Sequence, residues 1–488
     1  MGKDLDDRLS NLPDDILLTI LDRLNVRDAA RTAVLSTRWS KLPAMLSRLI
    51  INVWDFRPPD VSEFREDEFA QTNAAAIEAT KSMLERRDST RNRIHQLSVT
   101  FFLRESDPIS IGHTVAQTMA THKVGMAEFI VLTKKEPIGC DERDLIDYGQ
   151  QFMLFFDACP DAFAGITRLH LENLRFGESD ISNVLVTCKQ LKDLRFLNCD
   201  SEGVTTLQME HSQLSELSIV DCRLGKVMLN WLPQLTRMTF EGWIAFHYAL
   251  SVVYAPLLEV VNLTNVGLSW HKMIELSKFL RGTSVRDLKL GFKSEKIWVQ
   301  PECLTKSLSS VFCQLRFLNL DDIPEGYNLT WTLFVLKAAP SLKELWMTVW
   351  DHLCKMETDE KRRAVSYSEN KGVEWESSAL DFQHRSLATL TIFGFESEEY
   401  MVSYVRGVME AAVNLEEVFL YHRLTCGKCR ANPNTLKRIR YPWTKRQRSS
   451  VKKRITDGVD SFAIIHFPTG SVRGDHIAKK KVPVVFSF

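Results

Sequence analysis

Apolar positions recur along this 488-residue chain with two different rhythms. In the first fifty residues Leu12, Ile16, Leu17, Ile20, Leu21 and Leu24 fall at helical spacing on one face. Pro13 suits the first turn of such a helix, where its missing N–H costs nothing. Asp14 and Asp15 set negative charge against the positive end of the helix dipole. A second short helix is expected from Arg27 to Leu35, with Ala30, Ala33 and Val34 inward. A third is expected from Ser36, a suitable N-cap, through Trp39 and Leu42, with Pro43 as its stop. From Ile50 to Asp60 an apolar run gives way to a Pro-Pro pair and acidic residues, which reads as a boundary or loop. Ala70 to Arg86 reads as a helix with Ala75, Ile77, Met83 and Leu84 as its apolar positions, and Ser89 to Arg93 as a polar break.

Beginning at Ile94 the rhythm becomes apolar, two residues, apolar, one residue, apolar. It appears as Ile94/Leu97/Val99, Ile166/Leu169/Leu171, Leu191/Leu194/Phe196, Leu214/Leu217/Ile219 and Leu235/Met238/Phe240. It continues as Leu258/Val261/Leu263, Val285/Leu288/Leu290, Leu315/Leu318/Leu320, Leu342/Leu345/Met347, Leu387/Leu390/Ile392 and Leu415/Val418/Leu420, with a weaker copy at Met126/Phe129/Val131. Copies between 166 and 258 start 25, 23, 21 and 23 residues apart, and later gaps are 27, 30, 27, 45 and 28. One such triplet means nothing in a leucine-rich chain, whereas eleven near-regular copies are hard to obtain by accident. The spacing is that of leucine-rich repeats, about 20–29 residues, and Cys199, Cys222, Trp243, Val266, Ile323 and Trp350 follow three positions after a triplet.

Each repeat supplies one short strand whose inward residues cannot be covered alone, so stacked neighbours build a parallel sheet and a continuous core. The alternative, a conventional α/β domain with irregular strands, is opposed by the absence of long helical patterns between the strands. The 45-residue gap holds a polar segment, 351–385, read as a solvated insertion between two repeats. The fold class expected is α/β, a small three-helix module followed by a repeat solenoid with a stacked parallel sheet.

Composition narrows the function classes. Lys plus Arg and Asp plus Glu both total 62, so no global charge points to nucleic acid or membrane. The N-terminal ten residues are polar and acidic, and no apolar run reaches bilayer-spanning length. The ten cysteines sit mostly inside apolar patterns, which reads as reduced, buried thiols rather than a disulfide framework, and the expected compartment is cytoplasmic or nuclear. Without secretion, the sequons at Asn262 and Asn328 read as chance matches.

Three short helices in about forty residues cannot bury a core large enough to stand alone. The stretch has no cysteine or metal-ligand cluster to staple it, so a partner is expected. Here Leu12-Pro13-Asp14-Asp15-Ile16-Leu17, Ile20, Leu24, Ala30, Val34-Leu35-Ser36 and Arg38-Trp39 resemble an F-box, and LSTRWSKL is most similar to its plant branch. An ordinary helical cap on a larger domain is the competing reading.

The resemblance implies docking on the Skp-type adaptor of a cullin-RING (SCF-type) ubiquitin ligase, with the repeats binding the protein to be ubiquitinated. It implies adaptor-binding or supporting roles for Leu12, Pro13, Ile16, Leu17, Ile20, Leu24, Leu35 and Trp39. Spacing alone does not separate those that face a partner from those that pack internally.

Ser386 to Phe395, Tyr404-Val405-Arg406, Val408 to Ala412 and Asn414-Leu415 resemble the FBD-type C-terminal region of plant F-box/leucine-rich-repeat proteins. That implies strand, helix, strand, and Val402, Val405, Met409 and Val413 fall on an inward helical stripe. The organisation expected is an F-box over 8–50, a helical linker over 51–93, repeats over 94–384, FBD-like final repeats over 385–429, and a basic tail with C-terminal cap over 430–488.

Catalytic chemistry finds no motif. Cys426 and Cys429 form a CxxC after His422, but no second ligand pair completes a zinc site and no βαβ setting supports a redox pair. GxGxxG, GxxxxGK[ST] and HExxH are absent, so no cofactor or metal is expected and the chain reads as non-enzymatic. Between Lys437 and Arg454 lie nine basic residues with Tyr441 and Trp443 interleaved, read as a solvated face flanking Ile455 whose charges offset acidic patches elsewhere. RNA contact through this tail is the sharper alternative, and an interaction scaffold without a ligase role is another. Ser461–Phe467 and Val482–Phe488 are apolar enough for strands or a cap over the last sheet edge.

Overall fold

The computed structural model describes residues 12–57, 66–85, 87, 93–203, 206–243, 249–265, 273–293, 297–325, 329–349, 382–422 and 440–468. They divide into two compact units: one up to Arg237 with Val253–Ala255, the other Met238–Val252 with residues from Pro256 onward.

The first unit opens with helices α1 (Asp14–Leu21) and α2 (Val26–Arg31). Asn25 caps α2, its side chain accepting from Asp28 N–H at 2.8 Å. The expected third helix is instead two single 3₁₀ turns, Trp39–Lys41 and Pro43–Met45. Pro43 begins the second turn instead of ending a helix, because its fixed φ suits a first helical position.

A strand, β1 (Arg48–Asn52), follows directly and pairs in parallel with β2 (Ile94–Phe102), where the sequence reads as a boundary. The helical module and the sheet are therefore continuous in this unit. Next come β3 (Val124–Leu132), β4 (Arg168–Glu172), β5 (Asp193–Leu197) and β6 (Glu216–Val220), side by side in chain order. The triplets face inward and stay in register: Phe129, Leu169, Leu194 and Leu217 form one row, Val131, Leu171, Phe196 and Ile219 the next. The first copy is out of phase. Val99 and Phe101, not Leu97 and Val99, continue those rows into β2, while Leu97 and Val99 pair with Leu49 and Ile51.

Helix α3 (Glu66–Glu85) runs through the expected linker, and its Asn73 side chain bonds both the N–H and the C=O of Phe102. Two further helices, α4 (Asp107–Thr121) and α5 (Glu142–Ala158), went unread in the sequence. Their core is aromatic: Phe155 contacts Phe101, Phe129 and Phe163 at centroid distances of 5.7, 5.8 and 5.0 Å. Where repeats shorten to 21–23 residues the returns are extended instead, Thr206–Glu210 pairing in parallel with Lys226–Trp231.

The second unit continues the same rule through β7 (Arg237–Glu241), β8 (Val260–Thr264), β9 (Asp287–Gly291), β10 (Phe317–Ile323), β11 (Glu344–Val349), β12 (Thr389–Phe393), β13 (Glu417–Tyr421) and β14 (Ile464–His466). Val261, Leu288, Leu318, Leu345, Leu390 and Val418 make one inward row, and Leu263, Leu290, Leu320, Met347, Ile392 and Leu420 its neighbour. All twelve are buried. Between β12 and β13 runs α6 (Glu399–Ala411), with Val402, Val405 and Met409 buried. Val413 is exposed, because the helix ends before it and the stripe ends too. The basic stretch forms α7 (Lys445–Thr456), opened by a capping box between Thr444 and Gln447.

Candidate docking surface and repeat face

The first helix carries two apolar faces rather than one. Leu17 and Leu21 point inward and are fully covered. Ile16 and Ile20, at the same four-residue spacing, stay 43% and 37% exposed, and Leu24, past the helix end, 43%. On a helix a step of one residue turns a side chain by about 100°, so adjacent Ile16 and Leu17 serve opposite sides. Leu12 is half-buried and Pro13 exposed.

In α2 the inward residues are Val26 and Ala29, not the expected Ala30, Ala33 and Val34. Val34 is 86% exposed and Leu35 63%. Trp39 is buried, its backbone N–H donating to Ser36 Oγ at 3.3 Å. Of the eight sequence-derived site residues, Leu17 and Trp39 thus form the interior, and Pro13, Ile16, Ile20, Leu24 and Leu35 form the surface. Val34 belongs with the surface group and was missed, because its spacing places it with Ala30 until the helix is known to end at Arg31.

Polar contacts hold this module. The Arg38 guanidinium donates to Asp14 Oδ1 at 2.8 Å through Nε and to the Leu12 carbonyl at 2.6 Å through Nη2, tying the start of α1 to the segment after α2. Arg27 donates to Asp55 O at 2.8 Å, and the buried Arg87 to Leu46 O at 2.8 Å. Burial lowers the Arg87 pKa below its ordinary value.

The outward rows of the strands change character between units. In the first they are charged: Asp193 holds Arg195 at 2.8 Å and Arg168 at 3.9 Å, and Glu216 lies 3.9 Å from Arg237. His170 is held down to about 4 by burial and then by the Arg195 charge. Glu172 is pushed up to about 7 by burial, although Thr133 N–H donates to it at 2.8 Å. From β10 onward the outward row becomes aromatic. Phe317 and Trp346 lie 5.6 Å apart, Trp346 and Phe393 6.0 Å, Phe393 and Tyr421 4.7 Å, and Phe419 stacks on His466 at 4.7 Å.

Other candidates resolve simply. His422 packs against Tyr441 and Trp443, while Cys426, Cys429, Lys437, Arg438, residues 351–381 of the 351–385 insertion, Asn328 and Val482–Phe488 lie outside the described residues. Asn262 is buried on β8 with its amide bonded to Thr239 Oγ1. Cys159, Cys188, Cys199 and Cys222 are buried, but Cys303 and Cys313 are exposed, correcting the expectation of buried thiols. Among the described residues no cluster of His, Cys, Asp or Glu stands ready for a metal, and no helix is long and apolar enough to cross a membrane.

A small helical module feeding the first strand of a stacked parallel sheet of leucine-rich repeats defines the class. Residues 9–50 match the F-box domain model and residues 157–454 the model described as At1g61320/AtMIF1, LRR domain, so the chain belongs to that leucine-rich-repeat family and carries an F-box. Among similar Arabidopsis thaliana proteins, F-box/FBD/LRR-repeat protein At3g52680 is 26% identical over 367 residues, 71% of this chain and 72% of the relative. F-box/FBD/LRR-repeat protein At2g04230 is 26% identical over 382 residues, 73% and 78%. F-box/LRR-repeat protein At3g26922 is 24% identical over 296 residues, 59% and 90%.

Proposed function

We propose that the chain is the substrate-recognition subunit of a cullin-RING (SCF-type) ubiquitin ligase, docking through its F-box on a Skp-type adaptor and holding a target protein on its repeats. The observation that carries this reading is the exposed pair Ile16 and Ile20 on a helix whose opposite face, Leu17 and Leu21, is locked into the fold, with exposed Leu24 just past the helix end. A helix that keeps branched apolar side chains in water while its other face is satisfied presents a surface for another helix. Val34 and Leu35 extend the exposed apolar surface of the module.

In this role the chain supplies no reacting group. It raises the local concentration of target beside a ubiquitin-loaded enzyme held elsewhere in the assembly. The exposed free thiols of Cys303 and Cys313 suit a reducing compartment, cytosol or nucleus.

The test is co-purification with a Skp-type adaptor of the Ile16→Asp/Ile20→Asp variant against the parent chain. Both positions are surface, so the variant keeps its melting temperature within a few degrees while adaptor recovery falls by at least about tenfold. Undiminished recovery sinks the docking role.

A further inference from the structure

The last described strand leaves one side of the sheet open, and the helix before it lines that opening with positive charge. β14 pairs with β13 through Glu417–Ile464, Val418–Ile465 and Phe419–His466. Ile464 N–H turns inward to Glu416 O at 2.9 Å, so the alternation of a parallel ladder turns the N–H and C=O of Ile465 outward. Among the described residues no strand meets them. Parallel sheets seldom leave such an edge bare.

Beside this edge lies a groove of about 400 Å³, floored by Ile465 and Phe467 and walled by Lys445, Arg448, Ser449 and Lys452 of α7. These four helical positions share one face at spacings of three and four. The opposite face of α7 is spent on the fold: Val451 and Ile455 are buried, and Arg454 pairs with Glu399 at 2.6 Å. Arg440 likewise pairs with Glu398. Lys445 and Lys452 have no ion-pair partner among the described residues, so the groove keeps its net positive charge.

We propose that this groove docks an extended acidic segment of a partner protein, which adds to β14 as the next strand while its carboxylates meet Lys445, Arg448 and Lys452. The open backbone asks for a strand, the apolar floor for alternate aliphatic side chains, and the wall for negative charge. Charge disfavours residues 473–481 as that strand, since they carry Arg473, Lys479, Lys480 and Lys481 against a single Asp475, and the uncharged Val482–Phe488 offers the wall no carboxylate. As the place where a target is held, the groove deepens the receptor reading and rests on it.

The experiment is fluorescence anisotropy of the full chain with a labelled peptide of about twelve residues alternating Glu and Val. Saturable binding is expected, weakened at least about tenfold by Lys445→Glu with Lys452→Glu and absent for a Lys-Val peptide. Proline in place of a central Glu, whose N–H faces Ile465 C=O when the flanking Val lies over the floor, abolishes it by removing an edge donor. Glutamate in the first turn suits the helix dipole, so the variant keeps α7.

Equal affinity in the charge-reversed variant, or equal binding of the proline peptide, overturns the proposal. So does preference for an oligouridine RNA that the same reversals abolish, or peptide binding seen only after removal of residues 469–488. The assay contains no adaptor, so its failure leaves the F-box reading standing, and loss of adaptor capture leaves the groove standing.

Discussion

Glu172 closes β4 with its carboxylate covered, and covering a charge costs more than one N–H bond from Thr133 returns. Its folded pKa of about 7 lies above the ordinary 4.5, so the fold prefers the neutral acid. Stability is then lost as pH rises from about 4.5 to about 7, by on the order of 3 kcal/mol, and changes no further above that. Glu172→Gln keeps the acceptor and removes the charge. Urea unfolding should find it more stable than the parent by about 1–3 kcal/mol near pH 8 and equal to it near pH 4.5. The same scale explains which docking residues were legible. Ile16 and Leu17 were both marked by apolar spacing, but which is inward depends on where the module meets β1.

Elements were legible where the same pattern repeats and hidden where it occurs once. The triplets gave the strands because each inward row is set by two or three residues seen eleven times. β1 was hidden because Leu49 and Ile51 offer a single alternation beside a proline-rich stretch. α5 did carry a signal, Asp141 and Asp144 in a capping box ahead of Leu145, Tyr148, Phe152 and Phe155. Its phenylalanines lie outside the triplet register, so the repeat rhythm does not reveal it.

One glycine shows how an element end is enforced. Gly394 follows β12 at φ +82°, and a Cβ there would stand 2.0 Å from the Val349 carbonyl oxygen. Gly394→Ala forces both a left-handed alanine and a backbone clash, and should lower stability by about 2 kcal/mol or more in calorimetry. An unchanged melting temperature would refute the tight turn.

For the molecule as a whole, the long gap before β12 proves no interruption. β11 and β12 pair residue for residue, Leu345 with Leu390 and Met347 with Ile392, despite the 45 residues separating their triplets. Removing about seventeen residues from within 355–375 restores the spacing of the neighbouring repeats. The shortened chain should keep its circular dichroism and melt within about 4 °C of the parent, because neighbouring repeats interact only with one another. A collapse of folding would show that the segment is part of the stack.

By itself the sequence determined the repeating strand, its inward residues and the helical nature of residues 14–45. Those follow from periodicity, which acts between residues a few positions apart and is written in order along the chain. Only the tertiary structure decided which face of α1 stays in water, that the F-box runs straight into the first strand, and that α7 turns Lys445, Arg448 and Lys452 toward an open edge. Each of these depends on burial between segments far apart in sequence, where one residue's exposure is set by what a distant element covers.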